Sequence, residues 1–315
     1  MYKAGVDLGG TNIAVGIIND SNEIIGRAKV KTNIPRPAEE IFKDIVECVK
    51  AATENAGLSI DDIESVGIGT PGSVNKKTGY IEYANNLEFE NVPAVDLLNG
   101  MLPKKYYLEN DANCAALGEA LAGAGIGKAS FVAVTLGTGV GSGIVDNGRL
   151  ITGCNEAGGE LGHTVIKFDG EPCNCGRTGC WERYASATAL VSQTKKAMEA
   201  HKDSKMWEIA ENDLSNVNGR TAFDAMRAGD EIGAKVVDEY IRYVAIGTVN
   251  IINALQPEMI CFGGGVANEG ETLLVPLRKY VDEFRYSRNS DVQTELCKAK
   301  LGNDAGIIGA ALVKY

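Results

Sequence analysis

His163, Cys173, Cys175 and Cys180 fall within one short stretch that reads G-H-T-V-I-K-F-D-G-E-P-C-N-C-G-R-T-G-C. Three thiols and one imidazole form the donor set of a closed, tetrahedral Zn²⁺ site. The C-x-C-x₄-C spacing is tighter than that of a zinc finger. Gly176 and Gly179 would let the backbone turn sharply enough to bring all three sulfurs to one ion. Scarcity points the same way, because the chain has only two histidines, His163 and His201. The alternative is a loop of three buried or disulfide-bonded cysteines. Glu160 lies three residues before His163, and Glu182 lies two after Cys180. An ion that folds this loop would fix both carboxylates. Otherwise they are solvent-facing acids.

A second set of residues suits anions. Asp7-Leu8-Gly9-Gly10-Thr11 directly follows an apolar run. Its glycines let backbone N–H groups approach a phosphate, Thr11 adds a hydroxyl, and Asp7 can hold Mg²⁺ directly or through water. The stretch lacks the third glycine of a dinucleotide turn and the Gly-Lys-Ser/Thr of a Walker loop. A plain glycine-rich hairpin is the competing reading. Leu136-Gly137-Thr138-Gly139-Val140-Gly141 repeats the arrangement, so two such hairpins would grip one polyphosphate from both sides. Gly263-Gly264-Gly265, after the run Met259–Phe262, is a close-approach site suited to a nucleoside or, equally, a strand-to-loop turn. Glu109-Asn110-Asp111-Ala112-Asn113 follows the run Tyr106–Leu108. Acids and amides at the carboxyl end of a strand line the ligand crevice of α/β folds. Asp111 is the candidate general base, and Asp111 or Asn110 also suits the N-cap of a helix over Ala112–Ala122.

The elements that must position these residues alternate. Ala4–Leu8, Ile13–Ile18 and Glu23–Val30 read as strands, the last two joined by a turn at Asn19–Asn22. Ile41, Ile45, Cys48, Val49 and Ala52 recur at helical spacing, and that helix stops near Gly57. Ser65–Gly69 is a further strand. A second cycle begins with strands Phe131–Leu136 and Gly141–Val145 and the Asn-Gly turn at Asp146–Gly148. The two openings, D-L-G-G-T-N-I-A-V-G-I-I-N-D and T-L-G-T-G-V-G-S-G-I-V-D-N, share a strand, a glycine-threonine turn, a second strand and a polar hairpin. That is a weak internal repeat, consistent with two copies of one α/β unit. A long helix is expected over about Ala234–Ala254.

The 315 residues are 44% hydrophobic and 23% charged, enough for two ordinary globular domains. The formal net charge of −11 argues against a nucleic-acid surface, though not against a phosphate held by backbone and Mg²⁺. No run is apolar enough to span a bilayer, and the start Met-Tyr-Lys-Ala-Gly-Val-Asp lacks a signal-peptide pattern. Cys48, Cys114, Cys154, Cys261 and Cys297 sit in apolar contexts, as expected of small core residues in a reducing compartment. A cytoplasmic protein is expected.

Taken together, Asp7–Thr11, Glu109–Asn113, Gly158-Gly159-Glu160-Leu161-Gly162-His163 and Cys173–Glu182 resemble the ROK family of sugar kinases and repressors. The motifs occur in the family's order, and the resemblance runs from about residue 4 to Gly306–Ala311. The cysteine stretch, followed by Ala185-Ser186-Ala187-Thr188, is most similar to the bacterial glucokinase branch. The resemblance implies an α/β, actin-like ATPase (hexokinase-type) fold of two RNase H-like domains with a central cleft. The implied domains are 1–118 plus 303–315, and 119–302 with the zinc loop. The implied activity is ATP-dependent phosphorylation of the 6-hydroxyl of glucose, with Asp111 as base. Gly72, Asn86, Asn110, Asp111, Glu160, His163 and Glu182 then face the sugar. Asp7, Gly9, Gly10, Thr11, Asn12, Thr138 and Gly139 serve Mg-ATP phosphates, with Gly264 and Gly265 near the nucleoside. Asn12 stands where the family more often has Lys. His163, Cys173, Cys175 and Cys180 bind structural Zn²⁺. Homo-oligomers, dimers or tetramers, are expected.

Kinases of N-acetylmannosamine, fructose or allose share this pattern, as do sugar-responsive repressors and catalytically silent sensors. The acidic charge and the position of the first turn, beginning near residue 5, disfavour the repressor. The set Asp7, Thr11, Asp111 and Thr138 disfavours the sensor. The cysteine loop favours ATP over polyphosphate as donor.

Overall fold

The computed structural model describes residues 1–314. Strand β1 (Tyr2–Leu8) is followed by β2 (Asn12–Ile18), β3 (Ile24–Lys31), α1 (Ala38–Asn55), β4 (Ile63–Thr70) and β5 (Ser73–Asn75). Then come β6 (Tyr80–Ala84), β7 (Phe89–Val92), α2 (Ala94–Met101), β8 (Lys105–Asn110) and α3 (Asp111–Ala122). Alternating apolar residues put Val6, Ile13, Val15 and Ile17 in the core. The helical repeat of α1 buries Ile41, Ile45, Cys48, Val49 and Ala52 against the same cluster. The sheet order is β3-β2-β1-β4-β8. β1 pairs with β2 antiparallel and with β4 in parallel, and β4 pairs with β8 in parallel. A separate sheet, β5-β6-β7, hangs from the end of β4.

The second cycle has β9 (Ser130–Leu136), β10 (Val140–Asp146), β11 (Arg149–Leu150), α4 (Glu182–Ala185) and α5 (Ala187–Ala200). These are followed by α6 (Met206–Ile209), α7 (Thr221–Arg227), α8 (Glu231–Leu255), β12 (Met259–Gly263), α9 (Glu271–Phe284), β13 (Glu295–Lys298) and α10 (Asp304–Leu312). Its sheet runs β11-β10-β9-β12-β13, the same order of roles as the first, so the weak sequence repeat corresponds to a repeated strand order. Asn147 and Gly148 both have positive φ, as the Asn-Gly turn requires. The long helix begins three residues earlier than its apolar pattern, because Asp230 caps it by accepting the Ile232 N–H at 3.0 Å.

By compactness the described residues divide into one unit of 1–133, 143–159 and 300–314, and another of 134–142 and 160–299. The 143–159 segment ties to the first unit through the Lys76–Glu156 ion pair. Helix α10 packs on α3, β1 and β4 of that unit.

Candidate active site and metal centre

The carboxyl ends of β1, β4 and β8 lie in register, with Asp7 beside Gly69 and Gly69 beside Glu109. Asn110 closes β8 and is the N-cap of α3, accepting the N–H groups of Ala112 at 2.9 Å and Asn113 at 3.2 Å. Its amide nitrogen donates to the Gly72 carbonyl at 3.1 Å. Gly72 has φ +87°, and a Cβ there would collide with the Tyr83 carbonyl, so only glycine fits. Asp111 is the first residue of α3, and its Oδ1 accepts the Ala112 N–H at 2.8 Å.

The Asp111 side chain opens to solvent, yet the protein around it strips hydration from the carboxylate. Its pKa is raised, against the pull of the Ala112 N–H. Asp7 is pushed up to about 6, first by burial and then by the charge of Asp111, with Lys29 acting the other way. A buried carboxylate beside the charge of Asp111 suits a cation, and the donor chemistry of Asp7 fits Mg²⁺.

The first glycine turn is held by Gly9 N–H to the Asn12 carbonyl at 2.9 Å and by the Thr32 hydroxyl to the Gly9 carbonyl at 2.6 Å. Thr11 is exposed on it, and Asn12 begins β2. Gly10 lies against the backbone of Asn86, itself exposed in a short turn before β7. Asp7, Gly9–Asn12, Gly72, Asn86, Asn110 and Asp111 therefore all belong to the first unit.

Thr138, Gly139, Glu160, His163, Glu182, Gly264 and Gly265 belong to the second. The Gly137–Gly139 turn closes through a Gly137 N–H to Gly139 carbonyl bond of 3.0 Å. The start of α5 braces it: Ala187 N–H donates to the Gly137 carbonyl at 2.8 Å, and the Thr188 hydroxyl to the Thr138 carbonyl at 2.8 Å. Glu182, expected beside the sugar, places one carboxylate oxygen 3.0 Å from the Val140 N–H, against Gly139. Gly264, at φ +82°, packs on the backbone of Leu136, which brings the third glycine stretch beside the Thr138 turn. Glu160 is exposed at the start of a short helical turn that ends at His163.

The ligand atoms of His163, Cys173, Cys175 and Cys180 all lie within 4.8 Å of one another. Cys173 Sγ is 3.7 Å from His163 Nδ1, and Cys175 Sγ is 3.6 Å from Cys180 Sγ. Bonds of about 2.3 Å to a tetrahedral zinc give edges of about 3.8 Å, whereas a disulfide needs about 2.05 Å. All eight cysteines are free. The donor set and its spacing therefore fit an ion, not a cystine. Two isolated bridges, Val165–Cys180 and Pro172–Thr178, fold the loop. Gly179, at φ +77°, lies so close to the Lys167 carbonyl that no Cβ fits. Trp181 anchors the loop to α8. It is wholly buried, its ring presses on Gly247, and its Nε1–H donates to the Tyr243 carbonyl at 2.8 Å. His201 ends α5 and takes no part in the cluster.

The sequence profile of the ROK family matches residues 3–314. The chain belongs to the ROK family. This ROK protein is 38% identical to a glucokinase of Halalkalibacterium halodurans, over 99% of this chain and 95% of that one. A glucokinase of Thermotoga maritima is 36% identical, over 98% and 96%. A crystal structure of a ROK family glucokinase from Streptomyces griseus, in complex with glucose and AMPPNP, superposes with a TM-score of 0.81. It has 34% identity and coverage of 99% and 98%. The α/β architecture is thus the actin-like ATPase fold of the ROK kinases.

The sequence offered no sign of Lys76, which reaches the buried Glu109. Nor did it reveal Ser142, whose hydroxyl accepts the Leu161 N–H at 3.1 Å. Both pair residues that are not sequence neighbours; Lys76 sits in no motif, and the repeat that contains Ser142 does not encode its partner.

Proposed function

We propose that this ROK protein is an ATP-dependent glucokinase that phosphorylates the sugar's 6-hydroxyl. The observation that carries the reading is Asp111, a carboxylate of raised pKa held open to solvent at the first turn of α3, beside the capping amide of Asn110. Glucokinases at 36–38% identity over nearly the whole chain support glucose as acceptor.

In this reading the sugar's O6 attacks the γ-phosphorus of ATP, and the bond to the β,γ-bridging oxygen breaks. ADP departs, and the O6 proton passes to Asp111. A positioned base of this kind contributes about 10²–10⁴-fold. By the family resemblance, Asn86, Asn110, the Gly72 loop, Glu160, His163 and Glu182 contact the sugar. Backbone N–H groups of Gly9–Asn12 and Thr138–Gly139 hold phosphates, with Thr11 adding its hydroxyl, and Gly264–Gly265 flank the nucleoside. Asp7 would hold Mg²⁺, which neutralises phosphate charge. His163, Cys173, Cys175 and Cys180 would hold Zn²⁺ with no open position, so its chemistry is structural. Among the described residues, no helix is long and apolar enough to cross a membrane. Eight free thiols suit the cytoplasm, where we place the protein.

A coupled assay with Mg-ATP against glucose, mannose, fructose, allose, N-acetylglucosamine and N-acetylmannosamine tests this. Preferential turnover of glucose supports the reading. Preference for an N-acetyl sugar replaces the substrate, and glucose binding without turnover on any sugar makes the protein a sensor.

A further inference from the structure

Lys76 is the first residue after β5, in the turn to β6. Asn75 fixes that turn, its side-chain oxygen accepting the N–H groups of Lys77 and Thr78, each at 3.2 Å. The Lys76 ammonium lies 2.7 Å from Glu109 Oε2 and 2.7 Å from Glu156 Oε2. It also donates to the Thr152 hydroxyl at 3.4 Å. Glu109 is only 1% exposed. Its other oxygen accepts the Asn110 N–H at 2.9 Å and the Asn113 amide at 3.0 Å. One ammonium therefore grips the carboxylate that orients the start of α3, where Asn110 and Asp111 stand. With the same charge it grips Glu156, four residues before Glu160. Thr152 closes that loop, donating to Glu156 Oε2 at 2.7 Å and accepting the Gly158 N–H on its carbonyl at 2.7 Å.

A buried ion pair contributes little to stability compared with an apolar replacement of similar size. What this one supplies is geometry, because every oxygen it fixes leads within a few residues to a proposed sugar contact. We infer that Lys76 is a positioning residue for the transfer step, clamping Glu109 and Glu156 so that Asn110 and Asp111 are held in their productive orientation. This rests on the glucokinase reading.

The clamp lines a cavity of about 890 Å³ within the first unit, shared with Arg149, Leu117 and Leu312. A small alkylammonium ion can enter it, which makes chemical rescue the decisive experiment. In Lys76→Ala, kcat for glucose should fall about 10–100-fold and the glucose KM should rise several-fold, as expected of misplaced reacting groups. The melting temperature should fall by about 5 °C, because the variant leaves the buried Glu109 carboxylate unpaired, so rates are compared per folded molecule. Ethylammonium chloride should restore most of kcat, while equal tetramethylammonium chloride should not, and Lys76→Arg should keep most of the activity. Wild-type kinetics in folded Lys76→Ala would overturn the role. So would a loss that follows only the folded fraction and ignores ethylammonium. Where Lys76→Ala does not fold, Lys76→Met keeps the stem without the charge, and full activity in it would likewise overturn the role. A wild type that binds but does not phosphorylate glucose overturns the kinase reading itself, and the clamp's role with it.

Discussion

At the ends of β1, β4 and β8, strand register sets Asp7, Gly69 and Glu109 side by side, and a buried apolar cluster lies beneath them. In the loop from His163 to Cys180, two isolated bridges tie the backbone, and the buried Trp181 side chain just beyond it anchors the loop. The acidic corner takes its order from a paired sheet over an apolar core. Beside those bridges, the cysteine loop brings four side chains, three of them thiols, to one point. Burial and the neighbouring sulfurs push the Cys180 thiol up to about 12, so a bound cation would be what holds it as a thiolate. The first region should tolerate chelators and be governed by proton chemistry. The second should be governed by metal occupancy.

The largest expected effect separates the two regions directly. Cys180→Ser should lose bound zinc, lower the melting temperature by about 5 °C or more and raise the glucose KM at least about tenfold. A strong chelator should do the same to the wild type. Zinc content by atomic absorption and glucose titration check this. Unchanged KM in metal-free protein would show that the loop orders itself without its ion.

Asp7 supplies a smaller effect with a definite sign. Its folded pKa of about 6 exceeds the ordinary value of 3.8, so the folded state binds the extra proton. Stability therefore falls as pH rises from about 4 to 6, and the cost of the buried charge is fully present above 6. Asp7→Asn should stabilise the protein at pH 7, on the order of 1–3 kcal/mol, while abolishing most Mg-ATP-dependent turnover. In the wild type at limiting Mg²⁺, activity should decline as pH falls through about 6, and added Mg²⁺ should move that midpoint lower. Denaturant melts and pH–rate profiles at two Mg²⁺ concentrations check both. An Asp7→Asn variant that is active, or less stable, would break the assignment.

The smallest effect concerns Asn12. If the first turn works through its backbone, Asn12→Lys adds only an exposed cation, worth at most about 1 kcal/mol. The KM for Mg-ATP should change by no more than about fivefold. A larger gain would mean that a side-chain contact had been missing.

The elements that place Asp7, Asp111 and Thr138 were legible because alternation, glycine punctuation and an N-cap are local signals. The same holds for α1, whose five periodic apolar residues are all buried. The β5-β6-β7 sheet was not legible, since its strands are short and partly exposed. Trp181 on Gly247, and Lys76 between Glu109 and Glu156, join residues far apart in sequence that no spacing rule connects. Glu182 was noticed as an acid near the cysteines, yet its bond to Val140 N–H depends on where α4 starts, which a metal-ligand pattern does not encode.

The central claim is that Asp111 takes the proton of the attacking hydroxyl. The most direct test is the steady-state rate and glucose affinity of Asp111→Asn, measured on one folded, zinc-replete sample. The account predicts a fall in kcat of about 10²–10⁴-fold with glucose binding retained within a few-fold. Near-normal turnover in that variant would contradict it.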